Sequence, residues 1–169
     1  MKSILVLGVG NILYGDEGVG VHALRFLEER YDFPENAVLL DGGVMGKLLM
    51  AALLEHDFVL ILDAVLNGGA PGSIYRLEDE ALRKSLGFHD SQHQVDLVDT
   101  LISCGMIGRR PEAVVIGMEP QDYMRMTDRL SDACAAALPL LIRHALAELE
   151  RLGVKPAAKS ARADREQGA

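Results

Sequence analysis

The sequence predicts a three-layer α/β fold, in which a twisted, mostly parallel sheet of five strands is flanked by helices on both faces. Two observations carry this prediction. Short continuous apolar runs, typical of strands covered on both faces, alternate along the chain with segments whose apolar residues recur at helical spacing. Strands that alternate with helices favour a parallel sheet. The 169 residues, 49% of them hydrophobic, are enough for one domain.

The five strands are predicted, in chain order, at residues 4–7, 37–43, 58–65, 72–78 and 113–120. The third, "FVLILDAV", is the most apolar and is expected at the centre of the sheet, whereas "GSIYRLE" is weaker and is expected at an edge. Four helices are predicted at residues 18–30, from residue 48 onward, at 91–105 and at 130–149.

The periodicity ends near the C-terminus of the chain. Residues 1–152 are predicted to form a single domain, and residues 153–169, rich in Ala, Lys, Arg and Gly, to form a disordered tail. The net charge of -8 argues against nucleic acid or an anionic membrane as a partner. The first apolar run is too short to span a membrane and no cleavage site follows it, so a cytoplasmic protein is expected. Cys104 and Cys134 are interpreted as small buried thiols.

Four polar residues stand where strands end or a helix begins. Glu17 follows the first strand, Asp41 ends the second, Asp63 ends the third and His93 opens the third helix. Ligands of open α/β sheets bind beyond the carboxyl ends of the strands, so these residues are candidates for one site. Asp63 closes a run of five apolar residues, and a carboxylate desolvated there needs a cation or hydrogen-bond donors.

These residues could form a metal site. The positive end of the helix dipole keeps the imidazole of His93 neutral, which is the form that binds metals. Two carboxylates and one imidazole suit Ni, Zn, Fe or Mn, and three ligands leave positions open for water or substrate. The acids also have interpretations that involve no metal. Asp16 is expected to cap the helix that follows it, and Glu17 could do the same. Asp41 could be only a turn residue.

A nucleotide site is the competing interpretation. "GVGNIL" resembles the start of a dinucleotide fingerprint, and Asp41 could then bind a ribose. However, Leu13 stands where the third glycine is due, and Asp16 and Glu17 would lie beside a pyrophosphate, which is unfavourable. A nucleotide site therefore ranks below a metal or peptide site.

Several short motifs together resemble one known family. "LGVGN", "GDEGVGV", "DGG", "LDA", "HQ" and "GMEP" occur in this order between about residue 4 and residue 120. The chain resembles the hydrogenase maturation proteases, endopeptidases that remove a C-terminal extension from the large-subunit precursor of nickel–iron hydrogenases after nickel insertion. The resemblance implies a mostly parallel sheet between helices and nickel recognition by Glu17, Asp63 and His93. Gln92 departs from the residue that relatives often carry.

The resemblance implies that nickel arrives with the precursor and that no nucleotide is needed. Glu17, Asp63 and His93 then either take part in peptide hydrolysis or only recognise nickel, and Asp41 could act as a base or orient a ligand. A covalent nucleophile is disfavoured, because neither a Ser-His-Asp nor a Cys-His arrangement is visible. A monomer is expected. The alternatives are a dinucleotide-dependent oxidoreductase and a non-catalytic metallochaperone for the large subunit.

Overall fold

The structure, a computed structural model, describes residues 1–45, 49–78, 92–108 and 110–160. A five-stranded sheet, with strand order β3-β1-β4-β6-β5, lies between two helical layers. The strands are β1 (Ile4–Val9), β2 (Tyr31–Asp32), β3 (Ala37–Gly43), β4 (Phe58–Ala64), β5 (Ile74–Glu78), β6 (Glu112–Met118) and β7 (Ala157–Ala158). The helices are α1 (Val19–Arg30), α2 (Met50–Glu55), α3 (Gln92–Met106) and α4 (Asp132–Arg151), and a 3-10 turn spans Gly15–Gly18.

The sheet confirms the predicted fold class. β1 pairs in parallel with β3 and β4, β4 pairs in parallel with β6, and β5 runs antiparallel to β6. β4 lies at the centre and β5 at an edge, as the sequence predicts. All seven residues of β4 are buried, because neighbouring strands and both helical layers cover it.

Successive residues of each central strand point into two different apolar layers. In β4, Leu60 and Leu62 pack towards α1 and α4, whereas Val59 and Ile61 pack towards α2 and α3. This alternation follows from the two-residue repeat of a strand. The alternation therefore also determines which face of the sheet a polar residue at the end of a strand points to.

Regular structure continues further along the chain than the sequence predicts. Val154 is fully buried, β7 pairs antiparallel with β2, and the Lys159 N–H donates to the Arg30 carbonyl at 2.8 Å. The short strand is held by these contacts although its composition resembles that of a linker. The predicted start of the tail at residue 153 is therefore too early, and residues 161–169 lie outside the described residues.

Two smaller predictions concern the second helix and the cysteines. Helix α2 begins at Met50, and the predicted start at Leu48 lies outside the described residues. Cys104 and Cys134 are both buried and free, as predicted. Among the helices described, none has the length and apolar character needed to cross a membrane.

Candidate active site

The carboxyl ends of β1, β3, β4 and β6 lie side by side at one end of the sheet. We call this row of strand ends the carboxyl edge, and the row at the other end of the strands the opposite edge. In register, Gly8 of β1 lies opposite Asp41 of β3 on one side and Leu62 of β4 on the other. Asp63, the next residue of β4, lies opposite Gly117 of β6. The loops that follow these strands are thus the ones that can build a site.

Asp63 is a fully buried acid at this edge. It is directed towards the layer of α2 and α3, because Ile61 and Val65, two residues on either side, belong to that apolar layer. Its Oδ1 accepts a hydrogen bond from the Ala64 N–H at 2.8 Å. Full burial distinguishes Asp63 from a solvated surface charge, and its place near the carboxyl end of β4 makes it a functional candidate.

Glu17 lies at the same edge, on the 3-10 turn between β1 and α1, and is partly buried. Two glycines allow this turn to approach the strand ends. Gly10 has φ +120°, and a Cβ there would lie 1.8 Å from the Glu17 carbonyl oxygen. A Cβ at Gly20 would lie 2.0 Å from the carbonyl oxygen of Leu62, the neighbour of Asp63. The backbones that carry Glu17 and Asp63 are therefore brought close together.

His93 is the second residue of α3, which packs on the face of the sheet towards which Asp63 is directed. The strand after α3 starts at Glu112, opposite Phe58 at the start of β4, so the first turn of α3 lies towards the carboxyl edge. The side chain of His93 lies outside the described residues. Among the described side chains, no group of three His, Cys, Asp or Glu residues could hold a metal ion.

Asp41 is directed to the opposite face of the sheet from Asp63. Its register partner Gly8 also pairs with Leu62, which belongs to the α1 and α4 layer. Its Oδ2 accepts from Arg25 of α1 at 3.3 Å, and its Oδ1 accepts from the Gly43 N–H at 3.1 Å. Asp41 thus contacts the turn that follows β3, as expected for a turn residue, and it also pairs with Arg25. Its carboxylate does not lie on the face of the sheet towards which Asp63 is directed.

Asp16 does not cap the helix that follows it, so that prediction is wrong. Neither the 3-10 turn nor α1 has a side-chain cap. The fully buried carboxylate of Asp16 instead accepts from the N–H groups of Gln121 and Asp122, both at 2.9 Å, and from the N–H and hydroxyl of Ser131, both at 2.7 Å. Burial raises the pKa of Asp16, but these hydrogen bonds together lower it below its usual value.

This network fixes the turn that carries Glu17. The N–H groups of Gly15 and Asp16, the two residues before Glu17, donate to the carbonyls of Thr127 and Asp122 at 2.8 and 2.9 Å. The segment between β6 and α4 therefore fixes the turn between β1 and α1 through these backbone hydrogen bonds. Asp16 is a positioning residue for Glu17, and its partners lie more than 100 residues away in sequence, where no local motif could reveal them.

Glu119 is a further buried acid, which the sequence analysis did not single out. It follows β6 directly, and its carboxylate accepts from the N–H groups of Asn67, Gly68 and Gly69 at 2.9 to 3.3 Å. These three residues belong to the loop that begins just after Asp63. Two sequence features could have indicated this contact: the acid in "GMEP" and the glycines in "NGG". A carboxylate can accept hydrogen bonds from successive backbone N–H groups of such a loop.

The two cysteines do not supply a nucleophile. Burial raises the pKa of the Cys104 thiol and of the Cys134 thiol, so neither is a thiolate near neutral pH. Cys104 of α3 also packs in the core, and the Cys134 thiol donates to the Glu119 carbonyl at 3.5 Å. Among the described residues at the carboxyl edge, the groups available for chemistry are therefore carboxylates.

Comparison with known proteins places the chain in a family. The profile described as hydrogenase maturation protease matches residues 21–148. The hydrogenase expression/formation protein HoxM of Azotobacter vinelandii is 35% identical over 165 residues, which cover 96% of this chain and 80% of HoxM. Hydrogenase 2 maturation protease of Escherichia coli (strain K12) is 34% identical over 154 residues, which cover 90% of this chain and 93% of that protein.

Solved structures agree with this placement. The hydrogenase maturating endopeptidase HybD from E. coli superposes with a TM-score of 0.88 at 34% identity, covering 94% of this chain and 98% of HybD. These comparisons support neither the oxidoreductase nor the metallochaperone alternative. The chain belongs to the hydrogenase maturation protease family and is a peptidase.

Proposed function

We propose that this protease removes the C-terminal extension of the large-subunit precursor of a nickel–iron hydrogenase after nickel insertion, and that it recognises the inserted nickel. It would act in the cytoplasm as a monomer. The names of its relatives support the client class, since one is called hydrogenase 2 maturation protease and a structural relative from Thermococcus kodakarensis is called a [NiFe] hydrogenase maturation protease.

One observation carries the nickel part of this proposal: Glu17 and the fully buried Asp63 share one edge of the sheet. Two carboxylates there form an environment that favours a cation, and the imidazole of His93 would complete a set of three ligands at the start of α3. The nickel is part of the substrate in this scheme. Its contacts with the three side chains would fix the register of the peptide bond to be cleaved.

Hydrolysis then requires attack of water on a peptide carbonyl. Either the carbonyl is polarised or the water is activated next to the precursor's metal, while Glu17 and Asp63 stabilise positive charge at the edge. A covalent intermediate on Cys104 or Cys134 is not part of the mechanism, because both thiols are buried and their pKa values are raised.

The test follows the mass of the precursor after incubation with the protein. We expect loss of a C-terminal peptide from the nickel-loaded precursor and at least a hundredfold slower loss from the metal-free precursor. Asp63→Asn and His93→Ala should each abolish processing, because each removes one proposed nickel ligand. Asp32→Asn and His144→Ala are matched controls at exposed positions and should process normally.

Two results would contradict the proposal. Equal cleavage of loaded and metal-free precursor would remove nickel recognition from it. A stable complex with the loaded precursor and no change of mass would instead assign the chain a role in holding the subunit. Circular dichroism of each variant would show that loss of processing is not loss of fold.

A further inference from the structure

Several large apolar side chains are exposed in the loops around the candidate site. Among the described residues, six of the exposed ones follow the carboxyl ends of strands: Leu13, Val44, Met45, Leu66, Met124 and Met126. Met124 and Met126, 72% and 74% exposed, lie in the segment between β6 and α4 that holds the Glu17 turn. Exposed apolar residues concentrated on one side of a protein indicate an interaction surface.

Three of these residues form one surface, the Leu13–Met124–Met126 patch. The Thr127 N–H donates to the Leu13 carbonyl at 2.9 Å, and Tyr14 and Thr127 form a parallel bridge. This pairing places Leu13 beside Met126, with Met124 two residues away along the chain.

The patch is presented by a well-anchored segment. Asp122 Oδ1 accepts from the N–H groups of Met124 and Arg125 at 3.3 and 3.1 Å. The Asp122 N–H itself donates to the buried carboxylate of Asp16. The methionines are therefore exposed by a fixed backbone, and their flexible thioether side chains can adapt to a partner's surface.

The proposed function identifies the occupant. Leu13 is four residues from Glu17, so the patch begins within about 14 Å of it even along a fully extended chain. Arg125, exposed between the two methionines, forms no ion pair with any described residue. In a chain of net charge -8, this exposed arginine next to apolar side chains complements an apolar segment that carries an acidic group.

We propose that the Leu13–Met124–Met126 patch binds an apolar, acid-containing segment of the large-subunit precursor while the precursor's nickel lies at the carboxyl edge. This inference rests on the proposed function and adds a second contact with the same substrate. The patch supplies affinity for the precursor and leaves the chemistry of the cleaved bond to the site residues.

Steady-state processing of the nickel-loaded precursor tests the proposal. The double variant Met124→Ser/Met126→Ser should raise KM at least tenfold and leave kcat within twofold, because it removes binding that ground state and transition state share. Arg125→Glu should raise KM about threefold or more at low salt and less at 0.5 M NaCl. The control is Met106→Ser/Ile107→Ser, equally exposed at the end of α3 away from the carboxyl edge, which should leave KM unchanged.

An unchanged KM in the Met124→Ser/Met126→Ser variant overturns the docking proposal even when processing is normal. Failure of the wild-type protein to cleave the loaded precursor would instead reject the proposed function. In that case the Kd of the loaded precursor decides the docking proposal. At least tenfold weaker binding by the double variant supports it, and equal binding, or no binding by the wild type, overturns it.

Discussion

The two edges of the central sheet both bury acids, but they stabilise them in different ways. At the carboxyl edge, Asp16 and Glu119 accept hydrogen bonds from backbone N–H groups and a serine hydroxyl. At the opposite edge, Glu148 binds the guanidinium groups of Arg76 at 2.8 and 3.0 Å and of Arg151 at 2.8 Å. Phe58, at the start of β4, lines the pocket that contains these arginines, which places the pair at that edge.

The difference determines which edge retains negative charge. Hydrogen bonds from Arg76 lower the pKa of Glu148, with burial opposing them, and the two arginines neutralise its charge. Asp16 has no ion pair with a described residue, and dipoles alone keep its pKa low. Dipoles stabilise a carboxylate without cancelling its charge. The carboxyl edge is thus the edge where a cation brought by a substrate is electrostatically favoured.

Asp16→Ala should have the largest effect. It leaves the partly buried N–H groups of Gln121, Asp122 and Ser131 without their acceptor, so the free energy of unfolding should fall by about 3 kcal/mol. Processing should also fall at least tenfold, because the turn carrying Glu17 loses its anchor. Urea unfolding and precursor mass analysis at a temperature where the variant is folded measure the two effects.

Asp32→Ala, at an exposed position, is the control for Asp16→Ala and should change neither quantity appreciably. A folded Asp16→Ala protein that processes the precursor at the wild-type rate would break the comparison. The hydrogen-bonded acid would then serve stability alone, as Glu148 is expected to do.

Glu148→Gln should have a smaller and purely structural effect. The amide retains one acceptor for Arg76, and Arg76 still pairs with Glu78 at 2.8 Å, so the loss of unfolding free energy should be about 1–2 kcal/mol. The rate of processing per folded molecule should stay within twofold of wild type, because the pair lies at the far edge. A tenfold loss of kcat in the folded variant would show that the two edges are coupled.

The sequence predicted those features that depend on local pattern. The apolar runs revealed the five strands and the central place of β4, and the acid at the end of the most apolar strand indicated buried Asp63. The role of Asp16 depends on partners 105 to 115 residues away, which periodicity does not encode. The direction of Asp41 depends on the register between β3 and β1, and strand boundaries read from sequence do not fix that register.

The smallest expected effect is the change, with pH and with salt, in the contributions of Asp16 and Glu148 to the free energy of unfolding. The pKa values of Asp16 and Glu148 are both lowered by folding, so each carboxylate stabilises the protein fully above its unfolded pKa of about 4. That contribution is lost as pH falls through the folded pKa. The unfolding free energy difference between wild type and Asp16→Asn, or Glu148→Gln, should therefore be constant above about pH 5 and shrink below pH 4.

Salt should affect only one of these differences. Raising NaCl from 0.05 to 1 M should reduce the Glu148→Gln difference by about 0.3 kcal/mol, because the Arg151 side chain is largely exposed and its attraction to Glu148 is screened. The Asp16→Asn difference should not change, since its donors are neutral and its carboxylate is fully buried. Urea unfolding between pH 3 and 7 at both salt concentrations measures this. Equal salt sensitivity would mean that Asp16 is also stabilised by a cation, and the contrast between the edges would then fail.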